Sequence, residues 1–76
     1  MLDTQQLIGR IRKTIPQDSY GFIATDGGDE IFFHLNNLKG RTKDTKLPKV
    51  GTVVRFRLVR QDIPGKKNRA IDVEVL

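Results

Sequence analysis

Four stretches of the chain are rich in β-branched and aromatic residues: Tyr20–Thr25, Glu30–Leu35, Thr52–Arg60 and Arg69–Leu76. Two of them alternate cleanly. Val54, Phe56 and Leu58 take turns with Arg55 and Arg57, and Ile71, Val73 and Val75 take turns with Asp72 and Glu74. Period two predicts strands with one buried face. The segment before them reads two ways. Leu7, Ile8, Ile11 and Ile15 have helical spacing, whereas Leu7, Gly9, Ile11 and Ile15 share one face of a strand, opposite Arg10, Arg12 and Thr14. Gly9 in mid-helix costs about 1 kcal/mol relative to Ala, which favours the strand. Breaks fall at Ile15–Ser19, at Asp26-Gly27-Gly28-Asp29, along a long connection from Asn36 to Val50, and from Gln61 to Asn68. The second break has hairpin chemistry, because Gly supplies the positive φ of a tight turn. Five short strands are too few for a sandwich. The pattern predicts an all-β chain closed, or nearly closed, into a small barrel, which removes exposed edges.

At 76 residues the chain is expected to form one domain, with its core over about 7–76 and roughly 60% of its unfolded surface buried. It has no Cys, which excludes a disulfide staple and a thiolate zinc site. Apolar runs such as Ile31-Phe32-Phe33 fall far short of the roughly 20 residues of a membrane span. Met1–Gln6 lacks the basic start and apolar stretch of a secretory signal. A soluble cytoplasmic protein is the expectation. Charge changes the picture when it is divided: residues 1–38 hold three basic and five acidic side chains, residues 39–76 eleven basic and four acidic. The excess predicts a positive face, for which polyanions are the natural partners. A merely solubilising surface is the plain alternative.

The hairpin carries the sharpest signal. Tyr20 and Phe22 share one side of a strand, Gly21 and Ile23 the other; Phe32 and His34 share one side of the next, Ile31, Phe33 and Leu35 the other. A barrel strand has one interior side. With Ile23, Ile31 and Phe33 in the core, Tyr20, Phe22, Phe32 and His34 face out from neighbouring strands. Such a cluster needs a partner, and unpaired bases supply one, each stack being worth about 1–3 kcal/mol. Rings in strands are more commonly core, but Gly21 and Ile23 argue for the outward choice.

Gly9-Arg10-Ile11-Arg12, Tyr20-Gly21-Phe22-Ile23 and Ile31-Phe32-Phe33-His34-Leu35 resemble the cold-shock domain and its two short nucleic-acid-binding motifs, and Gly51, Phe56, Ala70 and Val73 continue the likeness. The resemblance implies a five-stranded oligonucleotide-binding barrel (OB-fold) that holds single-stranded RNA or DNA on strands two and three. By position it makes Tyr20, Phe22, Phe32 and His34 the stacking platform, Arg12 a backbone contact and Glu30 an acidic position beside the site. A role in keeping RNA unstructured, or in modulating transcription or translation, rests on the resemblance alone. The chain also departs from the pattern: Asp18-Ser19 replaces the usual Lys-Gly. Lys13, Thr14 and Leu35 stand where the family has rings, and the ring usual near Lys43 is absent. Lys13, Lys39, Arg41, Lys43, Lys46 and Lys49 are expected to compensate through phosphate contacts, which makes binding weaker, less base-selective and more salt-sensitive. Lys66 and Lys67, in the basic turn Gly65–Arg69, are further phosphate-contact candidates.

Other chemistry is poorly supported. His34 is the sole histidine, with no Ser or Cys nucleophile at a recognisable elbow, so no catalytic activity is expected. Asp26, Asp29 and Glu30 lack the regular spacing of a calcium loop and read as a solvated hairpin tip. Gly65–Arg69 lacks the upstream Gly and following Ser or Thr of a phosphate loop. No cofactor is implied. The alternative function is a protein-interaction module that uses the same aromatic face, since rings also anchor protein interfaces.

Overall fold

A computed structural model describes residues 5–61, 64, 65 and 67–76. Among the described residues five strands form: β1 (Gln5–Ile15), β2 (Tyr20–Ala24), β3 (Glu30–His34), β4 (Val53–Val59) and β5 (Arg69–Val75). Gln5–Ile15 is thus extended, and the helical reading of this segment falls. The strands close into a barrel in the order β1-β2-β3-β5-β4, as the alternation predicts. All neighbours are antiparallel except β3 and β5, which meet in parallel through Phe32 and Arg69. Among the described residues no helix is long and apolar enough to cross a membrane.

Closure depends on β1, whose eleven residues pair with β4 over Gln5–Arg10 and with β2 over Arg10–Ile15. A strand that serves two walls must bend, and a bulge at Arg12, between the Ile11↔Ile23 and Lys13↔Phe22 pairs, supplies the bend. The extra residue reverses the alternation beyond it. Thr14 now lies opposite buried Gly21, and Ile15 lies opposite half-exposed Tyr20. Ile15 therefore leaves the face it was expected to share with Leu7, Gly9 and Ile11. Without the bulge Lys13 would point inward; with it, Arg12 and Lys13 are both exposed.

A second bulge corrects β5. Arg55 pairs with Glu74 and Arg57 with Ile71, so Phe56 is opposed by two residues, and Asp72 takes a positive φ of 50°. Ala70 and Val73 are buried as a result, whereas Ile71 is half-buried and Val75 is 55% exposed. Ile71, Val73 and Val75 do not share the single face that strict alternation predicts.

The interior consists of Ile11, Ile23, Ile31, Phe33, Leu38, Val54, Phe56, Leu58, Ala70 and Val73. Leu38 reaches it because a 3₁₀ turn, Leu35–Asn37, follows β3 and bridges Leu38 to Val73. Gly21 is required by the packing. A Cβ there would lie 2.9 Å from Phe33 Cε1 and 2.7 Å from the Lys13 carbonyl oxygen, backbone that cannot swing aside. At the β2–β3 tip, Thr25 donates to the Asp29 carbonyl and Gly28 to that of Thr25, with Gly28 at φ 85°. The tip residues Asp26–Asp29 are exposed, and the described residues contain no group of acidic or His side chains arranged to hold a metal.

Gly21→Ala is expected to cost about 1–3 kcal/mol through overpacking, or about 4–8 °C of melting temperature per kcal/mol in a domain of this size. Thermal unfolding followed by circular dichroism measures it, and a melting temperature equal to the parent's contradicts the close approach of Phe33.

Candidate nucleic-acid interface

The register of β2 and β3 builds the outer face of the hairpin. Tyr20 pairs with His34, Phe22 with Phe32 and Ala24 with Glu30. Residues directly opposite project to the same side, and burial follows the parity: Gly21, Ile23, Ile31 and Phe33 are buried, while Tyr20, Phe22, Phe32 and His34 are half-exposed. The rings form one cluster. Tyr20 stands edge-on to Phe22 at 5.7 Å, and Phe32 lies 5.3 Å from Tyr20 and 6.0 Å from Phe22. Contacts of this geometry add about 0.5–1.5 kcal/mol each, so the rings hold one another in place while leaving area for a further flat group.

His34 is fixed at the end of the row. Its backbone N–H donates to Asn37 Oδ1 at 2.9 Å, and its Nδ1 accepts from the Asn36 N–H at 3.0 Å. With Nδ1 accepting, the ring proton sits on Nε2, which remains available as a donor.

Cations flank the rings. Lys13 lies across from Phe22 on β1. Arg12 Nε is 3.6 Å from Glu30 Oε2, and Lys67 Nζ, arriving from the β4–β5 connection, is 3.2 Å from Glu30 Oε1. Lys67 Nζ also stands 6.0 Å from the Phe22 ring centroid, at the outer limit of a cation–π contact. Phe22, Phe32, Gln61, Lys67 and Arg69 line an open depression of about 400 Å³. Gln61 and Arg69 are not among the site residues expected from the sequence, where Arg69 closes a basic turn and opens the last strand. Arg69 reaches the rings through its parallel pairing with Phe32, a contact that no local pattern announces.

The structure gathers Arg12, Lys13, Tyr20, Phe22, Glu30, Phe32, His34 and Lys67 on one side of the barrel. Lys39 is placed differently. It lies 3.9 Å from Glu74, which is also bound by Arg55 on the β4–β5 surface. Arg41 and Lys43 are exposed in the long connection and make no ion pair among the described residues. Lys66 lies outside the described residues. Thr14 and Leu35 line a second depression of about 420 Å³ with Pro16, Ser19 and Thr45–Lys49. An apolar groove edged by Lys46 and Lys49 thus occupies the place where the resemblance leads one to expect rings.

A closed five-stranded barrel of this strand order, with rings on the second and third strands, defines an oligonucleotide-binding fold. Residues 8–76 match the model of the 'Cold-shock' DNA-binding domain. The chain belongs to that family, whose members generally bind nucleic acid. No curated protein is significantly similar to it.

The Arg55 hydrogen bond and charge, with a smaller contribution from Lys39, hold the Glu74 carboxyl below its ordinary range. A depressed carboxylate pKa stabilises the fold above the unfolded value, and the contribution disappears as pH falls through the folded value. A carboxyl-detected NMR titration is expected to place Glu74 below the ordinary glutamate midpoint, and Arg55→Gln is expected to move it back up. A midpoint unaffected by Arg55→Gln contradicts the pair.

Proposed function

We propose that this protein is a non-enzymatic binder of single-stranded RNA or DNA, a cold-shock-type regulator that keeps RNA unstructured or modulates transcription or translation. The observation that carries the reading is the ring cluster of Tyr20, Phe22 and Phe32, whose centroids lie 5.3–6.0 Å apart on paired strands with one side open to solvent. Unpaired bases present a flat apolar face of matching size and an anionic backbone that the surrounding cations match. In this reading Tyr20, Phe22, Phe32 and His34 stack bases, while Arg12, Lys13 and Lys67 follow phosphates. Arg69 joins them, and Gln61 offers an amide beside the rings. Arg41, Lys43 and Lys66 extend the phosphate track, and Lys39 does so once released from Glu74.

The replacement of family rings by Lys13, Thr14 and Leu35 shifts the balance from stacking toward charge. Each missing platform removes about 1–3 kcal/mol, and each phosphate neutralised on a single strand adds about 0.7 to the salt slope. Binding is therefore modest in affinity and steep in salt.

Phe32→Ala is expected to weaken binding of a short pyrimidine-rich oligonucleotide by about 5- to 150-fold, with an unchanged salt slope and an intact fold. Titration at two ionic strengths measures both quantities. Unchanged affinity in the variant removes the platform. Affinity for a protein partner that ignores salt, with no oligonucleotide bound, favours an interaction module instead.

A further inference from the structure

Glu30 is out of place on a surface meant for a polyanion. It is the first residue of β3, its side chain shares the outer face with Phe32, and its two carboxylate oxygens are divided between cations from two other elements. Arg12 comes from the bulge of β1 and Lys67 from the β4–β5 connection. Both are well exposed, with 65% and 52% of their side chains accessible, whereas the Glu30 side chain is 29% accessible. The carboxylate is therefore seated while the cations reach in. While paired with Glu30, Lys67 Nζ stands over the Phe22 ring at 6.0 Å from its centroid.

We propose that Glu30 is an internal stand-in for phosphate, which holds Arg12 and Lys67 as a strap beside the rings and must be displaced from them when a nucleic-acid backbone binds. The proposal rests on the single-strand reading above and adds to it the residue that sets affinity and salt response. Its physical basis is an exchange of partners. Each exposed ion pair is individually weak and open to competition. A phosphate that takes Lys67 from Glu30 still sheds its own counterion, but the freed carboxylate recruits one in turn. Net ion release is then smaller than the number of phosphate contacts implies. Glu30 also repels the arriving backbone until the strap is exchanged, which disfavours polyanions that lack bases to stack.

The test compares Glu30→Gln with the parent. A short oligouridine is titrated across a series of salt concentrations. The variant is expected to bind about three- to tenfold more tightly at low salt and to raise the salt slope by about 0.7. Lys67→Gln is expected to weaken binding more in the Glu30→Gln background than in the parent, because only there is the ammonium free at the outset. Weaker binding by Glu30→Gln, with a loss that depends on the base, means that the carboxylate reads a base edge and overturns the strap. Unchanged affinity and slope overturn it equally.

A second measurement needs no ligand. The Lys67 side-chain protons, held near the Phe22 ring, are expected to resonate upfield in the free protein and to lose that shift in Glu30→Gln. A shift that survives the substitution overturns the proposal even if no oligonucleotide binds. Failure of the parent to bind any oligonucleotide speaks instead against the functional reading.

Discussion

A strand in the wall of a small barrel has one inside, and the β2–β3 hairpin is tied to that fact at every residue. Ile23, Ile31 and Phe33 are needed to fill an interior that holds ten buried apolar side chains among the described residues, and Phe33 fits because Gly21 leaves room for its ring. Once these are inside, Tyr20, Phe22, Phe32 and His34 have only the outside left. The platform is thus a by-product of core packing. Its spacing is set by the register of an antiparallel pair, not by the flexibility of a loop. Rings held on strands have little side-chain freedom left to lose to any partner, which lowers the entropic cost of contact at this face.

The charged part of the surface is built differently. Arg12 and Lys13 stand on the ring side together because one extra residue in β1 breaks the alternation. Lys67 and Arg69 arrive from the far end of the chain because the barrel closes β3 against β5. Rigid rings in the centre and cations gathered from separate elements at the margin suit a ligand with uniform backbone charge and variable bases. Glu30 stands within that margin, paired with Arg12 and Lys67.

How far the sequence reveals this follows from what each feature depends on. The orientation of the hairpin is legible because it requires only local alternation and a turn whose glycines fix the register. The buried set Val54, Phe56 and Leu58 is legible for the same reason. Ile15 and Val75 depart from expectation because bulges at Arg12 and Asp72 switch the parity of β1 and β5. Those bulges answer to the bending and closure of the whole barrel, which no window of residues contains. Asp72 is a mild signal in retrospect, since Asp tolerates a positive φ better than most residues. Arg69 and Gln61 become neighbours of the rings only through the parallel β3–β5 contact, and Lys39 finds Glu74 only after the 3₁₀ turn has redirected the chain. Composition alone cannot assign partners to eleven cations in the second half of the chain.

The central claim is that one side of one hairpin receives the ligand. Aromatic-proton NMR of the protein, titrated with a short single-stranded oligonucleotide at low salt, addresses it directly because the one Tyr and four Phe rings report separately. The account predicts progressive shifts for Tyr20, Phe22 and Phe32, with Phe33 and Phe56 unmoved in the core. Shifts confined to residues of the β4–β5 surface or the long connection, with those three rings silent, would contradict it.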